Sequence, residues 1–158
     1  MDLDPEVEEL IEEAVVIDAA PERVWALVAD PRLMRRWSPQ VARVLLRTPG
    51  PVGVGSRTLN INRAGVLVWT TRSQVVDFEP LRRFAIRIRD NRSVWSFELE
   101  PVGTTRTRLV QRRETPQGVA ERALALERRF MGGVPAFQVR LRAGMRTTLE
   151  RVKRAAER

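Results

Sequence analysis

The sequence has no cysteine, no histidine and no tyrosine among its 158 residues. Without cysteine there is no disulfide framework and no thiolate nucleophile, and without histidine as well the common zinc sites are excluded. The same absences remove the commonest general bases and the phenol that could donate a hydrogen bond to an enolate. Any metal would then have to be a hard cation held by carboxylates. We expect no cofactor and no metal site.

Long apolar runs are also lacking. No uninterrupted apolar stretch approaches the roughly 20 residues that span a bilayer, so we expect no transmembrane segment. Residues 1–13 are acidic and lack the basic flank and apolar core of a secretory signal, which favours a cytoplasmic location. The length predicts a single domain over residues 1–158, with residues 1–10 as a loose acidic arm or short helix.

Positive charge is abundant, with a formal net charge of +8, but it is not concentrated. All but Lys153 of the 28 basic residues are arginines, and they are spread from Arg23 to Arg158. A nucleic-acid site gathers its basic residues on one face or segment. The spread predicts a solvated basic surface and no specific nucleic-acid partner, with RNA, the ribosome or an anionic membrane surface as the alternative.

The front of the chain reads as a strand, a helix and a second short helix. Alternating apolar residues predict a strand over residues 12–18. Pro21 suits the first turn of a helix, where a missing N–H costs nothing, and Glu22 complements the positive end of the helix dipole. Asp30 can cap a second helix that begins at Pro31 and runs to about residue 37.

Between residues 41 and 114 the apolar period changes to two, with turn signals such as Asp90-Asn91. Six strands in an antiparallel meander follow. The alternation places the Trp69, Phe84 and Trp95 faces of three strands inside, while the inner face of strand 56–62 stays ambiguous.

After Pro116 the helical period returns. A helix is predicted from about residue 118 to 131, ended by two glycines, and a second from residue 134 to the C-terminus. Apolar residues of the second helix recur every three or four positions, as one buried face requires. They are Val134, Phe137, Leu141, Met145, Leu149 and Val152. Gly144 lies on the same face, either to let the helix approach the sheet or to leave room for a ligand.

The stretch from Val15 to Pro31, followed by Trp37-Ser38-Pro39, resembles the start of polyketide cyclase/dehydrase-like (SRPBCC) proteins of the START/Bet v 1 superfamily. Weaker matches continue to about residue 156, including Glu79-Pro80 and Gly144-Met145. The resemblance implies an α+β helix-grip fold. In that fold a curved seven-stranded antiparallel sheet wraps around a long C-terminal helix, with two short helices between strands 1 and 2.

The resemblance also implies an internal cavity, between sheet and terminal helix, that binds a hydrophobic small molecule such as a polyketide, a lipid or an aromatic compound. In this fold core and cavity share one sheet face, so core packing is the alternative role for each side chain predicted to bind the ligand. Those side chains are Trp37, Trp69, Thr71, Phe84, Ile86, Trp95, Phe97, Leu109, Phe137, Leu141 and Met145.

An enzymatic alternative is a polyketide cyclase or dehydratase that acts mainly by positioning its substrate. No carboxylate lies on a face predicted to be interior, so the sequence identifies no acid/base pair and no catalytic residue. A monomer and a homodimer are both compatible with the sequence.

Overall fold

The computed structural model describes residues 5–158. Their strands form one seven-stranded antiparallel sheet in the order β1-β7-β6-β5-β4-β3-β2. The strands are β1 (Leu10–Ile17), β2 (Val41–Leu46), β3 (Arg57–Ala64), β4 (Leu67–Glu79), β5 (Arg83–Ile88), β6 (Val94–Val102) and β7 (Arg106–Glu114). The helices are α1 (Pro21–Val28), α2 (Met34–Trp37), α3 (Glu121–Phe130) and α4 (Val134–Ala156). The predicted helix-grip architecture is confirmed.

Helix α1 begins where the sequence predicts, whereas the second predicted helix begins at Pro31 as a 3-10 helix and continues as α2 only from Met34. Pro21 occupies the first turn of α1, and the apolar face of that helix buries Val24 and Val28 completely. The Asp30 carboxylate accepts a hydrogen bond from the Arg32 amide at 3.0 Å and so caps a short 3-10 helix, Pro31–Leu33, that leads into α2. Helix α1, the 3-10 helix and α2 together fill the connection from β1 to β2.

Two register shifts interrupt the meander. One lies between Val75 and Asp77 of the 13-residue strand β4, and the other between Val41 and Arg43 of β2. Such bulges bend a strand and increase its twist. The sheet therefore curves, and its concave face receives α4.

Strand β3 settles the ambiguous face. Thr58, Asn60 and Asn62 are buried on the concave side, whereas Leu59 and Ile61 are half-buried on the other side. The concave face of the sheet is therefore polar along β3.

The turn between α3 and α4 depends on Gly132 and Gly133, whose φ angles are 78° and 97°. Positive φ is easy for glycine and strained for other residues. Helix α3 begins at Glu121, three residues later than expected, whereas α4 begins at Val134 as predicted. No helix within residues 5–158 is both long and apolar enough to cross a membrane.

Arg23 of α1 ties down the far end of α4. Its guanidinium donates to the carbonyl oxygens of Ala155 (3.1 Å), Ala156 and Arg158 (3.0 Å). These carbonyls lie at the end of the helix, where they lack partners within it, and a cation there also complements the helix dipole. Helices α1 and α4 are thereby fixed to each other at one end of the sheet.

Part of the predicted acidic arm, residues 1–4, lies outside the described residues. The segment that follows is bound to α4 and β7. The Gln138 side chain accepts from the Glu8 amide (2.8 Å) and donates to the Glu6 carbonyl (3.0 Å), while the Thr115 hydroxyl donates to the Glu8 carbonyl (3.2 Å). Residues 6–8 are therefore anchored.

Candidate functional site

A cavity of about 550 Å³ lies between the concave face of the sheet and helices α3 and α4. Strands β4, β5 and β6 form one wall, because the alternation that builds each strand sends every second side chain inward. Helix α4 forms the opposite wall with Phe137, Leu141 and Met145 of the apolar stripe predicted for it. The large apolar lining residues are Met34, Trp69, Phe84, Ile86, Ile88, Trp95, Phe97, Leu126, Met131, Phe137, Leu141 and Met145.

Gly144 is also part of the α4 wall. A Cβ atom built on it would meet the Cγ atom of Pro39 at 3.6 Å, which is an ordinary van der Waals contact. The glycine is therefore not forced by a close backbone approach. Its effect is to leave the space between α4 and the α2–β2 connection unfilled.

One side of the cavity is lined by hydroxyl and amide groups from β3 and β4. The Asn62 amide donates to the Thr71 hydroxyl at 3.1 Å, and the Asn60 amide donates to the hydroxyls of Thr71 (3.3 Å) and Ser73 (3.2 Å). Thr58 donates to the Asn60 side-chain oxygen at 2.9 Å and also pairs with Ser73. Asn60, Asn62 and Thr71 reach the cavity surface, so this wall is a hydrogen-bonded polar stripe.

A second polar region lies on β7, where Gln111 and Arg113 line the cavity. Arg113 is only 4% exposed, and one terminal nitrogen approaches the Gln138 oxygen (3.3 Å) and the Glu8 carbonyl (3.4 Å). Burial lowers the pKa of the Arg113 guanidinium, and the nearby Glu127 and Glu8 carboxylates oppose that shift. A buried cation with carboxylates near it therefore stands at the cavity wall.

The edge of the cavity carries exposed cations. Arg89, Arg122 and Arg140 line it and are exposed to solvent. Asp90 lies among them and forms an ion pair with Arg72 at 3.3 Å. The opening therefore has an excess of positive charge.

Nine of the eleven residues predicted to bind a ligand lie together on the cavity surface. Trp37 and Leu109 are not among the described lining residues. Trp37 is 3% exposed and its indole N–H donates to the Leu27 carbonyl at 2.8 Å, while Leu109 is fully buried in the core beside α1. Both side chains pack the protein interior, which was the alternative role open to them.

The expectation that no carboxylate faces the interior is wrong. Glu127 of α3 is 7% exposed and lines the cavity. Gln111 and Arg113 were also missed, although the inward alternation that includes Leu109 continues to both positions. Within residues 5–158 no group of three acidic residues is arranged to hold a metal ion.

Comparison with known proteins agrees with this architecture. The sequence profile of the family described as "Polyketide cyclase / dehydrase and lipid transport" matches residues 9–157. Uncharacterized proteins of Mycobacterium tuberculosis and Mycobacterium bovis are 27% identical over 90 residues, which are 56% of this chain and 52% of theirs. The chain thus spans about half the length of the curated relatives it matches.

Solved structures share the fold. The Zhui aromatase/cyclase of a Streptomyces species has a TM-score of 0.71 at 18% identity, covering 94% of this chain and 93% of its own. A Polyketide_cyc-like protein of Corynebacterium glutamicum has a TM-score of 0.63 at 25% identity, covering 92% and 90%. The di-domain ARO/CYC protein BexL has a TM-score of 0.68 at 22% identity, covering 98% of this chain and 52% of BexL.

The profile match extends over nearly all the residues that build the sheet, the terminal helix and the cavity between them. This chain therefore belongs to the polyketide cyclase/dehydrase and lipid transport family.

Proposed function

We propose that the protein binds a hydrophobic small molecule in the cavity between the sheet and α4. The observation that carries the proposal is the cavity itself, about 550 Å³ in volume and walled by tryptophan, phenylalanine and methionine side chains. Small-molecule sites are typically apolar concavities of roughly 300–1,000 Å³ with a few polar groups. The stripe on β3 and β4 supplies such groups.

The ligand class follows from the lining and from the family. Trp69, Trp95 and Phe97 offer flat aromatic surfaces, which suit a polyketide, a lipid or an aromatic compound. Two structural neighbours are named as aromatase/cyclase or ARO/CYC proteins, and the family description includes lipid transport. The nine predicted residues on the cavity surface are our proposed ligand contacts.

Filling the cavity tests this proposal. Gly144→Trp places a large ring beside the Pro39 edge of the cavity, and we expect it to weaken Nile red binding about tenfold or more, measured by dye fluorescence. Ala143→Trp is the matched control, because Ala143 is exposed on the neighbouring position of the same helix. Equal dye affinity in wild type and Gly144→Trp would place the dye site elsewhere.

A cyclase or dehydratase activity is a second candidate, and the position of Glu127 favours it. A carboxylate at the cavity wall can accept a proton from a carbon between two carbonyl groups, and neighbouring donors can polarise the carbonyl oxygen. Glu127 and Arg113 provide one group of each kind. The cavity would then hold a flexible chain in a reactive shape.

The enzymatic candidate predicts that Glu127→Gln slows cyclisation of a linear poly-β-keto thioester about 100-fold, followed as loss of water by mass spectrometry. Glu121→Gln, an exposed change at the start of the same helix, serves as control. Unchanged turnover in Glu127→Gln would exclude the carboxylate as the base. If wild type binds the dye but does not turn over the thioester, only the binding function is supported.

The convex face supports the proposal that no specific nucleic acid is bound. Arg112 pairs with Glu12 and Glu98 at 2.6 Å each, and Arg108 pairs with Glu100 at 2.9 Å. Paired arginines attract phosphates weakly, so we expect RNA binding to disappear in a gel shift at about 150 mM salt. Submicromolar, sequence-dependent binding under those conditions would contradict this.

A further inference from the structure

Two polar atoms at the cavity wall lack hydrogen-bond partners within residues 5–158. They are the side-chain oxygen of Gln111 and the Nε–H group of Arg113. Both side chains are nearly completely buried, at 3% and 4% exposure, and both residues line the cavity. Buried polar groups are almost always paired, so an unpaired one requires an explanation.

The two residues are placed to act together. They lie two positions apart on β7, opposite Phe97 and Trp95 of β6, so both side chains leave the same face of the sheet. Their Cα atoms are therefore roughly 6.6 Å apart along the strand. Contacts of the Arg113 terminal nitrogen with Gln138 and Glu8 hold the guanidinium while its Nε–H remains unused.

A third buried atom without a partner, the Ser96 hydroxyl, does not belong to this pair. Ser96 stands opposite Arg112 on β7 and Ala85 on β5, which places its side chain on the convex face of the sheet. Ser96 is also among the residues that line the cavity, but its side chain leaves the opposite face of the sheet from those of Gln111 and Arg113. Within residues 5–158 the unpaired groups on the concave face are therefore one donor and one acceptor.

The chemistry of the pair selects a ligand group. The guanidinium N–H can only donate, and the amide oxygen can only accept. A hydroxyl does both, so one hydroxyl group can satisfy the two atoms. A ketone or an ether can accept from Arg113 but leaves Gln111 unpaired. A carboxylate would set its negative charge against the Gln111 oxygen in a cavity that also contains Glu127.

We propose that the ligand is an apolar, aromatic molecule bearing a phenol or alcohol group, and that Gln111 and Arg113 bind its hydroxyl. The hydroxyl accepts from Arg113 Nε–H and donates to Gln111 Oε1. The ring then lies beside Trp95 and Phe97, the residues that face this pair across the β6–β7 ladder. This inference rests on the proposed binding function and adds the chemical class of the ligand.

The test compares β-naphthol, its methyl ether, β-naphthoate and naphthalene, each titrated as a competitor of Nile red. These ligands share one ring system and differ in the group offered to the pair. We expect wild type to bind β-naphthol about tenfold more tightly than the methyl ether or naphthalene, which corresponds to about 1.4 kcal/mol. β-Naphthoate should also bind less tightly than β-naphthol.

The Gln111→Leu variant tests whether Gln111 causes the preference for β-naphthol. It removes the acceptor while keeping a similar volume, and we expect the naphthol preference to fall below about threefold while naphthalene affinity is retained or improves. Gln117→Leu, at an exposed position in the loop after β7, is the control and should keep the full preference. Far-UV circular dichroism establishes whether each variant is folded.

The outcomes distinguish the hydroxyl site from the hydrophobic cavity that contains it. If all four competitors bind wild type equally, or if Gln111→Leu keeps the preference, the hydroxyl site is overturned while the hydrophobic cavity stands. If neither Nile red nor any naphthalene binds, the proposed binding function fails and the inference with it. The wild-type ligand series decides the question even if Gln111→Leu fails to fold.

Discussion

The two halves of α4 face the same sheet but border different interiors. Leu149 and Val152, in the C-terminal half, pack with Ile17, Val24 and Val28 into a core that is buried throughout. In the N-terminal half, Leu141 and Met145 contact a smaller cluster that includes Ile11 and borders the cavity. Helix α1 covers the first end, whereas α3 borders the cavity at the second.

The two ends also differ in whether their buried polar groups have hydrogen-bond partners. At the closed end the fully buried Thr107 hydroxyl donates to the Ala19 carbonyl at 2.8 Å. At the cavity end the Gln111 oxygen and the Arg113 Nε–H have no partner within residues 5–158. The closed end thus pairs its buried hydroxyl within the protein and contributes the packed core. The cavity end contains a void and two unpaired polar groups.

The largest effect should come from the closed end. We expect Leu149→Ala to lower the free energy of unfolding by about 3–5 kcal/mol, because the side chain is 2% exposed and its loss leaves a cavity in packed surroundings. Urea unfolding followed by circular dichroism measures the change. A loss below about 1 kcal/mol would show that this end is not the stable part of the fold.

Leu141→Ala should cost less, about 2 kcal/mol, at the low end of the range for buried leucines. Leu141 borders the existing cavity, so its removal enlarges a void instead of opening a new one. The same urea experiment applies, with the exposed neighbour Arg140→Ala as a control that should change little. If Leu141→Ala were as costly as Leu149→Ala, the two ends would not differ as described.

The smallest effect should come from the capped turn beside the cavity. The hydrogen bond from the Arg32 side chain is the main cause that lowers the pKa of Asp30 below 3.8. Because the folded-state pKa is lowered, the stabilisation is complete above the unfolded-state pKa and is lost as the pH falls through the folded-state value.

We therefore expect Asp30→Asn to reduce stability by less than about 1 kcal/mol at neutral pH, since asparagine still caps helices well. The difference from wild type should shrink as the pH falls to about 3 and below, as measured by urea midpoints. A difference that stays constant with pH would mean that the ion pair contributes nothing and that only the cap matters.

The elements of the fold were predictable because their signals are local. Pro21 and Asp30 mark helix starts through backbone chemistry, and the spacing from Val134 to Val152 describes the buried face of α4. The Trp69, Phe84 and Trp95 faces were likewise assigned from alternation. These patterns need no knowledge of which elements meet.

The polar part of the site was not predictable by the same rule. Placing apolar residues inside fails where the inside is a cavity, so Asn60 and Asn62 competed with Leu59 and Ile61 for the interior. Glu127 resembles an exposed charge of α3 until the helix is placed near Arg113. Its burial depends on tertiary contact and has no local signal.

The pairing of the first and last strands also has a consequence for folding. Leu10 of β1 pairs with Glu114 of β7, so this ladder closes a loop of about 100 residues. Loop closure over such separations is slow, and topologies dominated by distant contacts fold slowly. During synthesis β1 pairs only after β7 has emerged, and α4 follows later still, so the cavity forms after the sheet.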